Sequence, residues 1–168
     1  PTEKAEAAFL AWQKFAPKSP DSLSSILHLT CGPSGVKRIS CNGQFAGGRR
    51  ADFDAVIAPL LEVGPTRSSI ETVPFAKAWT PDGCTVSGTK VTCPAPLGPN
   101  YQRSSFADKP MSFKGIQTMF DGVAQWPGSP DSHEGGVQIE ALGPGSAVNK
   151  IPSDRTAWVH RGTLYHIV

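Results

Sequence analysis

The residues best able to do chemistry in this sequence lie in its last third. Gln138 and Glu140 are spaced two apart in Val137-Gln138-Ile139-Glu140-Ala141. An extended strand therefore puts both on one face and the three apolar residues on the other. Polar residues on one face of a sheet ordinarily meet solvent, and they become ligand contacts when something covers that face. In the terminal strand, Tyr165 and Ile167 point one way while His166 and Val168 point the other. A histidine there needs a partner and a substrate within hydrogen-bond reach before it can move a proton. His160-Arg161 could meet an anion, but at a strand end it reads better as a structural pair that fixes a loop. Asn149, ahead of Lys150-Ile151-Pro152, reads as a loop-ordering residue that bonds backbone groups. His28 and His133 are isolated and are assigned no role.

Several chemistries are excluded by context. Gly135, Gly136, Gly143 and Gly145 flank a strand instead of opening a helix, so they form neither a dinucleotide fingerprint nor a phosphate loop. Gly145-Ser146 lacks the G-x-S-x-G setting of a nucleophile elbow, and no nucleophile pairs by motif with His160 or His166. The four cysteines have neither CxxC spacing nor a neighbouring histidine, so no metal site is expected. Cys84 and Cys93 bracket a segment that turns at Gly88-Thr89. Counting outward pairs Ser87 with Lys90 and brings Cys84 opposite Cys93 at a close, non-hydrogen-bonded position. A disulfide is expected there, and with it an oxidising, secreted or extracytoplasmic setting. Cys31 and Cys41 flank a second hairpin about three positions out of register. They are bridged if its loop bulges, and are two buried free thiols otherwise.

The chain has 168 residues, a size for one domain that needs no metal or staple to fold. Its net charge of +2 is scattered, which argues against nucleic-acid and polybasic membrane partners. No apolar run approaches the ~18 residues of a membrane span. The sequence opens at Pro1 without an initiator Met and stops in mid-pattern at Val168, so a processed or truncated piece of a longer protein is expected.

The elements that must position these residues follow from periodicity. Thr2 caps a helix with Ala7, Ala8, Leu10, Ala11, Trp12 and Phe15 on its apolar face, ending before Pro17. Leu23–Leu29 and Val36–Phe45 read as hairpin strands. Asp52 caps a helix that ends at Gly64-Pro65, and Arg67–Val73 reads as a short strand. Ser112 caps a third helix bearing Ile116, Met119, Phe120 and Val123. Val137–Leu142 is a strand, 143–151 an ordered loop, and Thr156–Val168 two further strand segments. Hairpin-paired strands with helices between them predict an α+β fold, an antiparallel β-sheet with helices packed on one face. A Pro/Gly-rich hairpin insertion at about 80–100 interrupts it.

The run Gly135-Gly136-x-x-Ile139-Glu140-Ala141-Leu142-Gly143-x-Gly145-x-Ala147-Val148-Asn149-x-Ile151-Pro152, followed by Thr156-Ala157-Trp158-Val159-His160-Arg161 and Leu164-Tyr165, resembles the substrate-binding domain of berberine-bridge-enzyme-like FAD-linked oxidases of the vanillyl-alcohol-oxidase superfamily. Pro20-Asp21-x-Leu23, Gly43-x-Phe45-x-Gly47, Ala58-Pro59-Leu60-Leu61 and Arg103-Ser104-Ser105-Phe106 fit in order. The resemblance implies a sheet whose helix-free face roofs a flavin ring held by a separate FAD-binding domain of the same polypeptide. The residues that attach the flavin covalently, and a Tyr-containing tail segment, are not in this chain. His166 is then the candidate catalytic residue, with Gln138, Glu140 and Val168 substrate-binding. Many relatives carry Gln or Glu at the position of Val168, which cannot act as a base.

The function so implied is oxidation of an alcohol, sugar or related C–H substrate by hydride transfer to FAD, with O2 as acceptor. Over residues 1–168 this chain would supply only the substrate-binding domain, and alone would be inactive, binding no cofactor. The alternative is a stand-alone secreted module that binds a ligand or protein without catalysis.

Overall fold

Ala5, Phe9, Trp12 and Ala16 recur at the spacing of one helical face, and all four are buried. Leu10, which the sequence places on that face, is 40% exposed because it stands about a quarter-turn from Phe9. The computed structural model describes residues 2–31, 36–78, 84–87, 90–93, 102–125, 136–143 and 146–168. In chain order the elements are α1 (Thr2–Phe15), a 3-10 turn (Ala16–Lys18), β1 (Leu23–Cys31), β2 (Lys37–Phe45), α2 (Arg50–Leu61), α3 (Phe75–Ala78), β3 (Thr85–Ser87), β4 (Lys90–Thr92), β5 (Ser105–Ala107), α4 (Phe113–Gln125), β6 (Gly136–Ala141), α5 (Ala147–Lys150) and β7 (Tyr165–Ile167). They fall into two compact units, Pro1–Pro65 with Arg103–Val168, and Thr66–Gln102.

The larger unit is the expected α+β arrangement. Its five-stranded sheet has the order β2-β1-β6-β7-β5 with every pairing antiparallel. Alternation along each strand gives the sheet two unlike faces. Ser25, Leu27 and Leu29 of β1, Ile139 of β6 and Tyr165 of β7 are buried, and all but Ser25 share one core with Phe9 and Trp12 of α1 and Ile116 and Phe120 of α4. Phe9 meets Trp12 and Phe120 edge-on, at 6.4 and 6.5 Å between ring centroids, the arrangement aromatic quadrupoles favour. Trp12 Nε1 donates to Ser25 Oγ at 3.2 Å, so the one polar group of that buried indole is satisfied. On the rim Lys37 Nζ pairs with Asp121 at 2.5 Å, tying β2 to α4.

The end of α1 decides where β7 sits. Inside a helix the Gln13 carbonyl would accept from the N–H of residue 17, but residue 17 is proline and has none. Tyr165 Oη fills that vacancy, donating to the Gln13 carbonyl at 3.0 Å from across the fold. The Gln13 amide side chain meanwhile clamps the lead-in to α4, donating to the Met111 carbonyl at 3.1 Å and accepting from the Met111 N–H at 2.8 Å. Gly143 completes the contact with this turn: a Cβ there would come within 2.8 Å of the Pro17 backbone.

Four local expectations need correction. Asp52 is not the residue that caps α2 from outside; it is the third helical residue, and its carboxylate accepts the Arg49 backbone N–H at 3.1 Å and the Arg49 guanidinium at 2.9 Å. That guanidinium holds the Asp52 carboxyl below its usual range. Arg67–Val73 forms no strand and has no ladder partner among the described residues. The ordered loop after β6 contains the single helical turn of α5, capped by Ser146 Oγ accepting from the Val148 N–H at 3.3 Å. Of the two strand segments expected in Thr156–Val168 only Tyr165–Ile167 forms, because the Arg161 guanidinium bonds the Val148 carbonyl at 2.6 Å and Thr156 Oγ1, folding 156–161 into a loop.

In the smaller unit β3 and β4 pair as Thr85↔Thr92, Val86↔Val91 and Ser87↔Lys90, and a disulfide joins Cys84 and Cys93 just beyond them, as the counting predicts. Cys31 and Cys41 are free, but they are not the buried thiols expected: Cys31 is part-buried and Cys41 is exposed on an edge strand. Cys31 lies opposite Lys37 and Cys41 opposite Leu27, four pairs apart in the ladder, or about 13 Å along the strands. No loop bulge brings them within bonding range.

Burial pushes the Tyr165 phenol from 10.0 up to about 12. Its raised value stabilises the fold fully below pH 10, and that contribution is lost as pH rises from 10.0 to about 12, where the unfolded phenol ionises first. Tyr165→Phe should cost about 1–3 kcal/mol by leaving the Gln13 carbonyl unpaired. Urea midpoints of the two proteins, measured across that pH range, should converge as the wild type loses its phenol contribution.

Candidate functional site

Directly opposed residues in an antiparallel ladder share a face, so the register identifies what stands on the side of the sheet away from α1 and α4. Asn42 pairs with Ile26, Ile26 with Glu140, Glu140 with His166, and His166 with Phe106. These form one row across all five strands. Beside it runs a second row, in which Ser40 pairs with His28 and His28 with Gln138. Val168 extends that row: its N–H and carbonyl exchange two hydrogen bonds with Gln138, each of 2.8 Å.

Three of the four residues singled out from the sequence are thereby joined by side-chain contacts. His166 Nδ1 lies 3.1 Å from Glu140 Oε2, and Gln138 Nε2 donates to Glu140 Oε1 at 3.0 Å. The imidazole is 23% exposed and the carboxylate 35%, so both remain reachable from solvent while shielded from full hydration. Val168 stands beside them through its backbone and brings no polar side chain.

Two residues unsuspected from sequence complete the site. Phe106 stacks on the His166 ring at 4.9 Å with the planes 16° apart, and on His160 at 4.1 Å and 18°. Trp158 meets the edges of Phe106 and His160 at 5.3 and 5.4 Å, and its Nε1 donates to the His160 carbonyl at 3.2 Å. The pair His160-Arg161 therefore divides its labour. Arg161 fixes the loop, as its sequence context suggests, while His160 joins the aromatic wall. His28 is half-buried in the second row. His133, Gly135 and Gly145 lie outside the described residues.

Arranged this way, the site can accept a proton and face a flat ring. Glu140 and His166 form a carboxylate–imidazole pair on this face, with the rings of Phe106, His160 and Trp158 packed beside it. Among the described residues no cluster of three His, Cys, Asp or Glu is placed to hold a metal. A separate shallow pocket of about 190 Å³ lies where Pro17, Asp21, Ser24, Gly143 and Ser146 meet. Its carboxylate is already paired with Lys150 Nζ at 2.6 Å.

The loop after β6 holds the wall in place. Asn149 Nδ2 lies within donating distance of the carbonyls of Leu142, Gly143 and Thr163, at 2.7, 2.9 and 3.1 Å. This is the backbone-ordering role its sequence context predicts. Asn149→Ala should cost about 1–3 kcal/mol by leaving buried carbonyls unpaired, with faster amide hydrogen exchange in residues 156–164 than in β1.

No family model matches the chain, and no curated protein matches it. Among solved structures it is similar to one described as the Bermuda grass isoallergen BG60, of the pollen group 4 allergens, with a TM-score of 0.66 at 17% sequence identity. That likeness covers 99% of this chain but 33% of the allergen chain, so the chain spans about a third of that protein's length. Identity this low establishes a shared fold alone. The membership in the berberine-bridge-enzyme-like oxidases suggested by residues 135–165 is accordingly withdrawn. Those residues have their own structural reasons. A Cβ on Gly136 would meet the Leu29 carbonyl at 2.9 Å, Gly143 lies against Pro17, and Asn149 ties down a loop. Packing in this fold thus accounts for Gly136, Gly143 and Asn149.

Proposed function

We propose that this chain is the substrate-binding wall of a flavin-dependent oxidoreductase that oxidises an alcohol, sugar or related C–H substrate. The observation that carries the reading is the hydrogen-bonded Gln138–Glu140–His166 set standing on the sheet face away from α1 and α4. The residues present suit a roof over a flat ring: Ile26 offers an apolar contact and Glu140 and His166 polar ones, all in a single row. They do not suit the diphosphate end of a dinucleotide, since the helix that follows Gly143 is the single four-residue turn of α5, whose Val148 N–H is already taken by Ser146 Oγ. An FAD-binding domain of the same parent polypeptide is therefore part of the proposal, in keeping with a likeness that spans about a third of a longer protein. FAD bound there would supply the hydride acceptor, with O2 as the eventual oxidant.

This chain's own work is to bind, orient and deprotonate. Phe106, His160 and Trp158 wall one end of the site and hold the substrate against the sheet. His166 accepts the hydroxyl proton through the ring nitrogen that Glu140 does not engage, while Glu140 stabilises the imidazolium that results. Val168 leaves its position apolar, which keeps the proton on His166. The Cys84–Cys93 disulfide supports a secreted or extracytoplasmic setting for the parent.

A second reading, a secreted binding module without catalysis, draws on the smaller unit. Thr85, Ser87, Lys90, Val91 and Thr92 of the disulfide-closed hairpin all have exposed side chains.

Purification of the parent polypeptide discriminates the two. The flavin reading expects stoichiometric FAD and O2 consumption with an alcohol or sugar substrate, while the 168-residue chain alone is colourless and inactive. His166→Ala should lower kcat by about 10²- to 10⁴-fold with FAD content unchanged. A parent free of flavin, or one indifferent to His166, refutes the reading.

A further inference from the structure

The geometry points to Glu140 as a positioning residue that fixes His166 in one tautomer, with the proton on Nδ1, so that Nε2 is the basic atom offered to the ligand. This rests on the reading of His166 as the site's base, and it moves Glu140 from ligand contact to support of the histidine. β6 and β7 place Glu140 directly opposite His166, where side chains of an antiparallel pair meet. An ionised carboxylate can only accept, so the nitrogen 3.1 Å from Oε2 must donate, and that nitrogen is Nδ1. The other oxygen is occupied as well, accepting from Gln138 Nε2 at 3.0 Å. Both carboxylate oxygens are thus engaged within the sheet face, which holds the group in one rotamer.

The opposite strand closes the remaining freedom. Phe106 pairs with His166 from β5 and stacks on its ring with the planes 16° apart. Turning the imidazole edge-on would break that stack. Reversing it by a half-turn would keep the stack but present a C–H to Glu140 in place of Nδ1. The orientation that satisfies both neighbours is the observed one. Gln138 positions Glu140, Glu140 selects the tautomer, and Phe106 fixes the plane. Between them the set defines which atom of His166 takes the proton.

The test is nitrogen-15 NMR of the full chain labelled at histidine, at a pH where the imidazoles are neutral, reading the two ring nitrogens of His166 through their couplings to the ring C–H protons. The expected spectrum shows the protonated-type shift at Nδ1 and the unprotonated-type shift at Nε2. In Glu140→Ala the proton should move to Nε2, with the shifts of His28 unchanged. A wild-type spectrum with the proton on Nε2 overturns the inference, as does a Glu140→Ala variant that keeps it on Nδ1. If that variant does not fold, the wild-type spectrum decides alone. Neither measurement requires FAD or substrate. A flavin-free parent would therefore remove the proposed function while leaving the tautomer result standing, and the reverse outcome would remove only the role given to Glu140.

Discussion

A missing N–H at Pro17 organises the core and the site together. The proline ends α1 and leaves the Gln13 carbonyl without its helical partner, in a region already closed to water. An unpaired buried carbonyl costs about 1–3 kcal/mol, so something must reach it. Tyr165 does, and the requirement sets the phase of β7. With Tyr165 directed inward, residue 166 must point outward. A one-residue slip of that strand would bury His166 and break its contact with Glu140.

The sheet separates two tasks by alternation alone. Leu27, Leu29 and Ile139 fill one side, while Ile26, Glu140 and His166 stand on the other. Neither task constrains the side chains of the other. A polar set can therefore be assembled over a well-packed apolar layer, and the strands between them hold its members at fixed spacing. A site on rigid strands keeps its geometry better than one on loops. Only the aromatic wall at 158–160 relies on a loop, and Asn149 and Arg161 brace that loop through carbonyl contacts.

Period and turn chemistry made the local features legible. Gln138 and Glu140 share a face by strand period, the bridge between Cys84 and Cys93 follows from counting out from a turn, and Ser112 Oγ accepts from Gly115 N–H at the start of α4 as a cap should. What stayed hidden depends on contacts distant in sequence. Phe106 lies 60 residues before His166, and nothing in Ser-Phe-Ala announces a strand beside β7. Glu140 and His166 meet only because a loop of 20-odd residues returns β7 to the edge of β6. The loop at 156–161 misled for a related reason: its β-branched and aromatic residues suit a strand, but Arg161 claims the neighbouring groups. The same blindness explains the withdrawn family membership, since glycines at points of close approach mark a fold more readily than a lineage.

The bond between Tyr165 and Gln13 spans 152 residues of sequence. Helix α1 is made well before β7, yet the Gln13 carbonyl in its last turn has no permanent partner until that strand has been made. Until then the 3-10 turn at Ala16–Lys18 must stay near water, and the aromatic layer of Phe9 and Trp12 lacks the ring that Tyr165 brings to it, 5.8 Å from Trp12. Order of assembly is therefore written into this one contact: a helix made early waits for a strand made much later.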